Sequence, residues 1–295
     1  MPDTWIEPFL VQQGLPPKFQ ATAERVVVPL AEWIMRATGG KRPFVLGLAG
    51  AQGSGKSTLS LALQAALDAR GRATALLSID DLYLGRSARL SLAERVHPLF
   101  RTRGPPGTHD VALGLALFSA LGRAGDVPLP RFSKADDEPA PRAQWPSCPA
   151  PPDVVILEGW CVGALPQPAA ALSAPVNALE ALEDADRRWR TYANDQLAGP
   201  YAELFARADR LIYLRPPSFD VVARWRGDQE RQLRDRLAAE GRPAMATLTD
   251  DQIPRFVAHY ERITRAMMAD LPSIAALTLQ LDDRREVTGW RRSGR

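Results

Sequence analysis

The segment Gly50-Ala51-Gln52-Gly53-Ser54-Gly55-Lys56-Ser57 carries the densest chemistry in the chain. It fits G-x-x-x-x-G-K-[ST] at every fixed position. The glycines let the backbone turn so that successive N–H groups face one anion-sized hollow. The helix that follows adds the positive end of its dipole. Lys56 is placed to reach the β- and γ-phosphates of a nucleotide and the Ser57 hydroxyl to ligate Mg²⁺. Gly50, Gln52, Gly53, Ser54, Gly55 and Thr58 complete the expected phosphate cradle. The alternative is a glycine-rich turn with no ligand. The context favours the cradle: an apolar run over Phe44–Ala49 precedes it and a helical pattern from Lys56 to Ala69 follows.

Two further apolar runs end in acids. Ala73–Ile79 leads into Asp80-Asp81-Leu82-Tyr83, and Asp153–Leu157 leads into Glu158-Gly159-Trp160. In open parallel sheets ligands sit beyond the carboxyl ends of the strands, so both acids are expected on the same edge as the phosphate loop. A nucleotide hydrolase must position water. A small-molecule kinase needs a base beside the acceptor hydroxyl and a carboxylate on the metal side. Asp80 is the candidate base and Glu158 the candidate metal-side carboxylate; Asp81 is equally well explained as a cap of the next turn.

These residues need a scaffold to bring them together. Apolar runs at 44–49, 73–79, 153–157, 210–214 and 277–281 alternate with helical patterns at 111–121, 177–196, 219–239 and 250–268. That alternation predicts an α/β fold, a central and mostly parallel sheet with helices on both faces. Residues 1–40 read as a helical N-terminal extension, 43–282 as the core, and the whole as one domain. Ten prolines fall between Pro105 and Pro152, so 123–152 reads as a proline-rich excursion, and long loops in compact domains often carry function. The helix within 218–240 bears Arg224, Arg226, Arg231, Arg234 and Arg236. It reads as a lid, with Arg226 and Arg231 offered to the transferring phosphoryl group. A solvated helix paired through Asp228, Glu230 and Asp235 is the alternative. Trp189, Arg190, Tyr192, Tyr260 and Met267-Met268 have the spacing of packing residues.

Composition excludes several classes. The 295 residues suffice for a sizeable core. Basic residues number 37 and acidic ones 34, a net charge of +3, and the basic ones are spread along the chain. No nucleic-acid partner is expected from that balance. Only Lys18, Lys41, Lys56 and Lys134 are lysine, which draws attention to each of them. Two cysteines exclude a disulfide framework, and Cys161 reads as an inert packed thiol. No run of about 18 apolar residues or basic leader is evident, so no membrane segment and a cytoplasmic setting are expected.

Several elements occur in a recognisable order: the phosphate loop, Ser78-Ile-Asp-Asp-Leu-Tyr83, Arg103-Gly-Pro-Pro-Gly-Thr-His-Asp110, Pro130-Arg-Phe-Ser-Lys134, Val155-Ile-Leu-Glu-Gly-Trp160 and Trp225-Arg-Gly-Asp-Gln-Glu230. This pattern resembles the D-glycerate 3-kinase family of P-loop kinases, within the larger group of uridine kinase, pantothenate kinase and phosphoribulokinase. The resemblance spans about residues 43–282. It implies the P-loop NTPase fold and transfer of the γ-phosphoryl group of ATP, with Mg²⁺, to a small hydroxy acid such as D-glycerate. It also implies Asp80 as base and Glu158 as the Walker-B-like acid, with Thr108, His109 and Asp110 in acceptor recognition. A glycerate-like acceptor carries a carboxylate, so its site should supply cations and polar groups. Arg103, Lys134 and His109 suit that need, and Tyr83 joins Asp80 on the acceptor side. Two departures from the family pattern fall there: Ser133 stands where an aspartate is usual, and Ala135-Asp136-Asp137-Glu138-Pro139 replaces a glycine-rich stretch. The other readings are a nucleoside, pantothenate or sugar-acid acceptor, or an ATP-binding regulatory protein with little transferase activity.

Overall fold

The computed structural model describes residues 4–239, 241 and 247–293. Glu240, inside the expected lid span, and the Arg236 side chain lie outside the described residues. The central sheet is built from β1 (Phe44–Gly50), β2 (Thr74–Ser78), β3 (Val154–Gly159), β4 (Arg210–Arg215), β5 (Leu277–Leu281) and β6 (Val287–Arg292), in the order β6-β5-β4-β1-β3-β2. All neighbours are parallel except β5 and β6, which form an antiparallel hairpin. The five apolar runs thus form the five parallel strands. β6 was not expected, because its Val-Thr-Gly-Trp-Arg-Arg sequence is mostly exposed and has no apolar run.

Every residue of β1 and of β3 is buried, as their nearly continuous apolar sequences require in a sheet covered on both faces. One face packs against α3 (Lys56–Asp68) and the N-terminal extension. That extension comprises α1 (Ile6–Gln13) and α2 (Val28–Ala37), the latter entered through helix at Phe19–Thr22 and a π turn at Ala23–Val27. Phe9, Val27, Leu30 and Ile34 of the extension share a core with Leu46, Leu63 and Ile156. The other face packs against α5 (Val111–Leu121), α8 (Pro200–Phe205) and α10 (Gln252–Ile274), with Leu117, Tyr201 and Leu271 beside Val155 and Leu157. α4 (Arg86–Arg95) follows the Asp80 turn; α9 (Asp220–Ala239) covers the phosphate loop.

The expected helix over 177–196 is two helices, α6 (Ala178–Glu183) and α7 (Arg188–Ala198). Asp184 ends the first. Its carboxylate accepts the N–H groups of Trp189 and Arg190 at 2.8 and 3.3 Å and pairs with Arg190 at 2.9 Å. Arg187 takes the left-handed conformation needed to re-aim the chain (φ 67°). The excursion at 123–152 contains two small ribbons, Gly125–Pro128 with Ser147–Ala150 and Phe132–Ser133 with Glu138–Pro139. No helix among the described residues is long and apolar enough to cross a membrane.

Candidate active site

Sheet register assembles the first part of the site. Leu48 of β1 and Ser78 of β2 both lie opposite Glu158 of β3. The three strands therefore end together, and the phosphate loop leaves β1 beside Glu158. Glu158 Oε1 accepts hydrogen bonds from Ser78 Oγ at 2.7 Å and Ser57 Oγ at 3.2 Å. Its Oε2 is buried with no hydrogen-bond partner, as are Gln52 Oε1 and Ser54 Oγ. Leaving such groups unpaired is costly, so these atoms mark a place for a bound group. A buried carboxylate beside a serine hydroxyl and a lysine fits a divalent cation carried with a nucleotide's phosphates. The donor set is thus suited to Mg²⁺ and ATP.

The loop itself is held from above. Gly53 is left-handed (φ 72°), and a Cβ there would lie 2.7 Å from Trp225 Cβ and 2.8 Å from the Trp225 backbone. The α9 backbone therefore rests directly on the phosphate loop. The Trp225 ring is fully buried, and its Nε1 donates to the Asp283 carbonyl at 2.9 Å.

A polar cleft opens beside Lys56 and Ser57. Asp80, Tyr83, Arg103, Lys134, Arg226 and Tyr260 line it, with Gln52, Gln229, Trp160 and Phe256. Asp80 stands in a 3₁₀ turn (Ile79–Leu82) capped by Ser78. Lys134 donates to Asp80 Oδ2 at 2.7 Å and Tyr83 donates to Oδ1 at 2.8 Å. Burial pushes the Asp80 carboxyl up. The Lys134 and Lys56 ammonium groups and the two hydrogen bonds outweigh it and hold the carboxyl well below the usual carboxylate range. Its neighbour Asp81 goes the other way: burial pushes it up to about 6, only partly offset by Arg131 and the Phe132 N–H. Asp81 does not cap its own turn. It accepts the Phe132 N–H at 3.1 Å and pairs with Arg131 at 3.5 Å, fastening the proline-rich excursion to the sheet edge.

The remaining expected residues divide. Thr108 is fully buried; its hydroxyl donates to the Pro105 carbonyl and accepts the Gly104 N–H, closing a turn. Asp110 caps α5, accepting the Leu113 N–H at 2.8 Å. His109 is buried behind Tyr83, its ring stacked on the tyrosine at 4.6 Å and its Nδ1 against the Tyr201 hydroxyl. Burial pulls His109 down to about 4, so it is neutral. None of the three lines the cleft. The Gly104–Asp110 turn backs the cleft wall behind Tyr83, where the expectation had it touch an acceptor. Of the two lid arginines, Arg226 lines the cleft, with its guanidinium 4.7 Å over the Phe256 ring and paired to buried Glu230. Arg231, five residues on, is turned about 140° away. It is half-exposed, pairs with Asp228 at 2.7 Å and lies outside the cleft.

Two lining residues gave no sequence signal: Phe256 and Tyr260 read as ordinary helix residues, while Gln229 in the cleft and Ser78 beside Glu158 fall inside motif segments without a role assigned to either. Tyr260 packs edge-on to Trp160 and donates to the Arg103 carbonyl at 2.8 Å, within 2.0 Å of where a Gly104 Cβ would stand. Trp189 and Arg190 are buried away from the cleft, as expected of packing residues. Cys161 is fully buried, and burial pushes its thiol up, out of reach of ionisation.

No family model matches the chain. It is 32% identical over 234 residues to the uncharacterized kinase mug58 of Schizosaccharomyces pombe, covering 74% of this chain and 79% of that one. It is 28% identical over 244 residues to the chloroplastic D-glycerate 3-kinase of Arabidopsis thaliana, covering 79% of this chain and 49%, about half, of the plant protein. The solved D-glycerate 3-kinase of Cryptococcus neoformans superimposes with a TM-score of 0.71 at 24% identity, over 94% of this chain and 99% of that one. At that identity the likeness shows the fold. The 32% relative, the shared fold and the phosphate loop facing Asp80 agree with one another, and the chain belongs to the family of P-loop kinases that includes D-glycerate 3-kinase.

Proposed function

We propose that this kinase transfers the γ-phosphoryl group of ATP to a hydroxyl of a small hydroxy acid, D-glycerate foremost, giving 3-phosphoglycerate. One observation carries the proposal. The cleft that begins at Lys56 and Ser57 ends at a carboxylate, Asp80, flanked by Lys134 and Arg103. A phosphate site, a hydroxyl acceptor and cations for an acid thus share one hollow. The phosphate loop and Lys56 hold the β- and γ-phosphates. Ser57 and Glu158 would hold Mg²⁺, which would supply positive charge against the phosphates. On the opposite side of the loop a groove between Phe19, Val26, Leu281 and Arg284 takes the nucleoside.

Asp80 is a weak base, because its carboxyl is held low. Its first task is therefore to accept a hydrogen bond from the acceptor hydroxyl and aim the oxygen at phosphorus. The acceptor O–P bond forms as the bond to the β-phosphate oxygen breaks. The hydroxyl proton passes to Asp80 and then to solvent, late in a loose transition state. Arg226 and Lys56 offset the charge on the transferring group. Arg103 offers its guanidinium to the acceptor's carboxylate. Positioning and electrostatics supply the rate, and α9 over the loop excludes water.

The test is ADP release stimulated by D-glycerate in a coupled assay, with Asp80→Asn beside the native chain. The native enzyme is expected to respond to D-glycerate. Asp80→Asn is expected to lose at least about 100-fold in kcat while still binding ATP. No stimulation by D-glycerate or by any other small hydroxy acid overturns the proposal; native-like turnover in Asp80→Asn overturns the role of Asp80.

A further inference from the structure

The acceptor side holds one more carboxylate, which the transfer chemistry does not use. Asp137 lies in the Ser133–Pro139 segment with its backbone left-handed (φ 58°). Its two oxygens are divided between two arginines. Oδ1 accepts from Arg103 at 2.6 Å, and Oδ2 accepts from Arg89.

Arg89 is the fixed end of this chain of contacts. It sits on α4, is only 2% exposed, and donates to the carbonyls of Leu84 (3.1 Å), Arg101 (2.9 Å) and Asp137 (3.3 Å). Three backbone oxygens therefore fix its guanidinium, and that guanidinium fixes Asp137. The same segment is fastened a second time: Glu138 Oε1 accepts the N–H of Arg86 at the start of α4, at 3.1 Å. Nearby, the Ser133 hydroxyl bonds the Asp136 carboxylate.

Arg103 is the working end. Its carbonyl is held by the Tyr260 hydroxyl, and its guanidinium stands 6.0 Å over the Phe132 ring, within the cleft. A guanidinium carries five donors in a rigid fork that matches a carboxylate. Among the described residues Asp137 is the one hydrogen-bond partner of that fork. Without Asp137, a long side chain at the cleft wall would sample many rotamers, and ordering it would subtract from binding.

We propose that Asp137 is a positioning residue. It anchors Arg103 to buried Arg89 so that the free edge of the Arg103 guanidinium faces the acceptor's carboxylate, and it thereby sets the preference for acidic over neutral acceptors. The proposal depends on the hydroxy-acid function above. The charge balance fits it: one carboxylate shared by two arginines leaves a net cation for an anionic acceptor.

The experiment compares D-glycerate with glycerol, which keeps the hydroxyls and lacks the carboxylate. Steady-state constants are measured on the full chain for the native enzyme, for Asp137→Asn and for Arg89→Met/Asp137→Asn. Asparagine tolerates the left-handed backbone and keeps an acceptor oxygen, so Asp137→Asn removes mainly the charge. The double variant removes the buried guanidinium together with its partner, so its fold does not carry an unpaired buried charge. In both variants KM for D-glycerate is expected to rise about tenfold. The kcat, the KM for ATP and the constants for glycerol should stay within about threefold, so the preference for the acid falls about tenfold. A loss of folded enzyme alone would lower kcat with both acceptors equally and leave every KM unchanged. A variant that keeps the native preference, or whose KM for ATP rises in step with that for D-glycerate, overturns this inference alone. A native enzyme that favours the neutral acceptor overturns the hydroxy-acid function and this inference together.

Discussion

Replacing Lys134 with alanine isolates the electrostatics of the site in one pH profile. The Lys134 ammonium lies 2.7 Å from Asp80 Oδ2, and its side chain is 52% exposed. Two unit charges at that range in a surface-like medium attract by several kcal/mol before screening. For a half-exposed lysine the discounted value is about 1–3 kcal/mol, which is about one to two pH units on the partner. Burial, which pushes Asp80 up, remains when the lysine is gone; only Lys56 and the Tyr83 hydroxyl still oppose it. In the proposed reaction Asp80 must be ionised to align the acceptor. The acid limb of kcat/KM should therefore move up by about one to two pH units, towards the ordinary carboxylate region. The assay is kcat/KM for D-glycerate from the lowest pH at which the protein stays folded up to pH 8, with KM recorded separately. An acid limb that stays put or moves lower refutes the assignment of Lys134 as the partner that holds Asp80 charged. A pH-independent rise in KM with no shift of the limb would instead give Lys134 a direct role on the acceptor's carboxylate.

Two further outcomes follow from the same geometry. Gly53→Ala places a methyl 2.7–2.8 Å from the Trp225 backbone and Cβ at a left-handed residue, which costs roughly 2–5 kcal/mol in the closed arrangement. ADP affinity measured by calorimetry should fall at least about tenfold, and affinity within twofold of native would show that α9 need not rest on the loop. Asp81→Asn should stabilise the protein at neutral pH. The Asp81 carboxyl is raised from 3.8 to about 6 on folding, so the stability it contributes is present below its unfolded value and is lost as pH rises through about 6. Asparagine avoids that loss of up to about 3 kcal/mol. The gap in thermal stability between the variant and the native chain should be full above pH 7 and close as pH falls towards 4; a variant less stable than native at pH 8 contradicts this.

Much of the site was legible because it sits where strands end. The phosphate loop, Asp80 and Glu158 each follow an apolar run, and a parallel sheet delivers the ends of such runs to one edge. The sequence by itself therefore determined the parallel strands, the phosphate-loop motif and the acids that share its sheet edge. Residue type and position along one strand were enough, since each depends on local pattern and on a topology with few alternatives. Register, rotation about a helix axis and long-range fastening depend on contacts distant in sequence, and only the tertiary structure decided them. Ser78 holds Glu158 because β2 pairs with β3 in that register. Arg226 reaches the cleft and Arg231 does not, because they stand on different faces of α9. Thr108, His109 and Asp110 read as acceptor ligands but close a turn, back up Tyr83 and cap a helix. The Ala135–Pro139 stretch departs from the family's pattern where the acceptor is expected, and the departure alone assigns none of its residues a contact. Folding instead places Asp137 between Arg89 and Arg103, 48 and 34 residues away, a juxtaposition that no local pattern encodes.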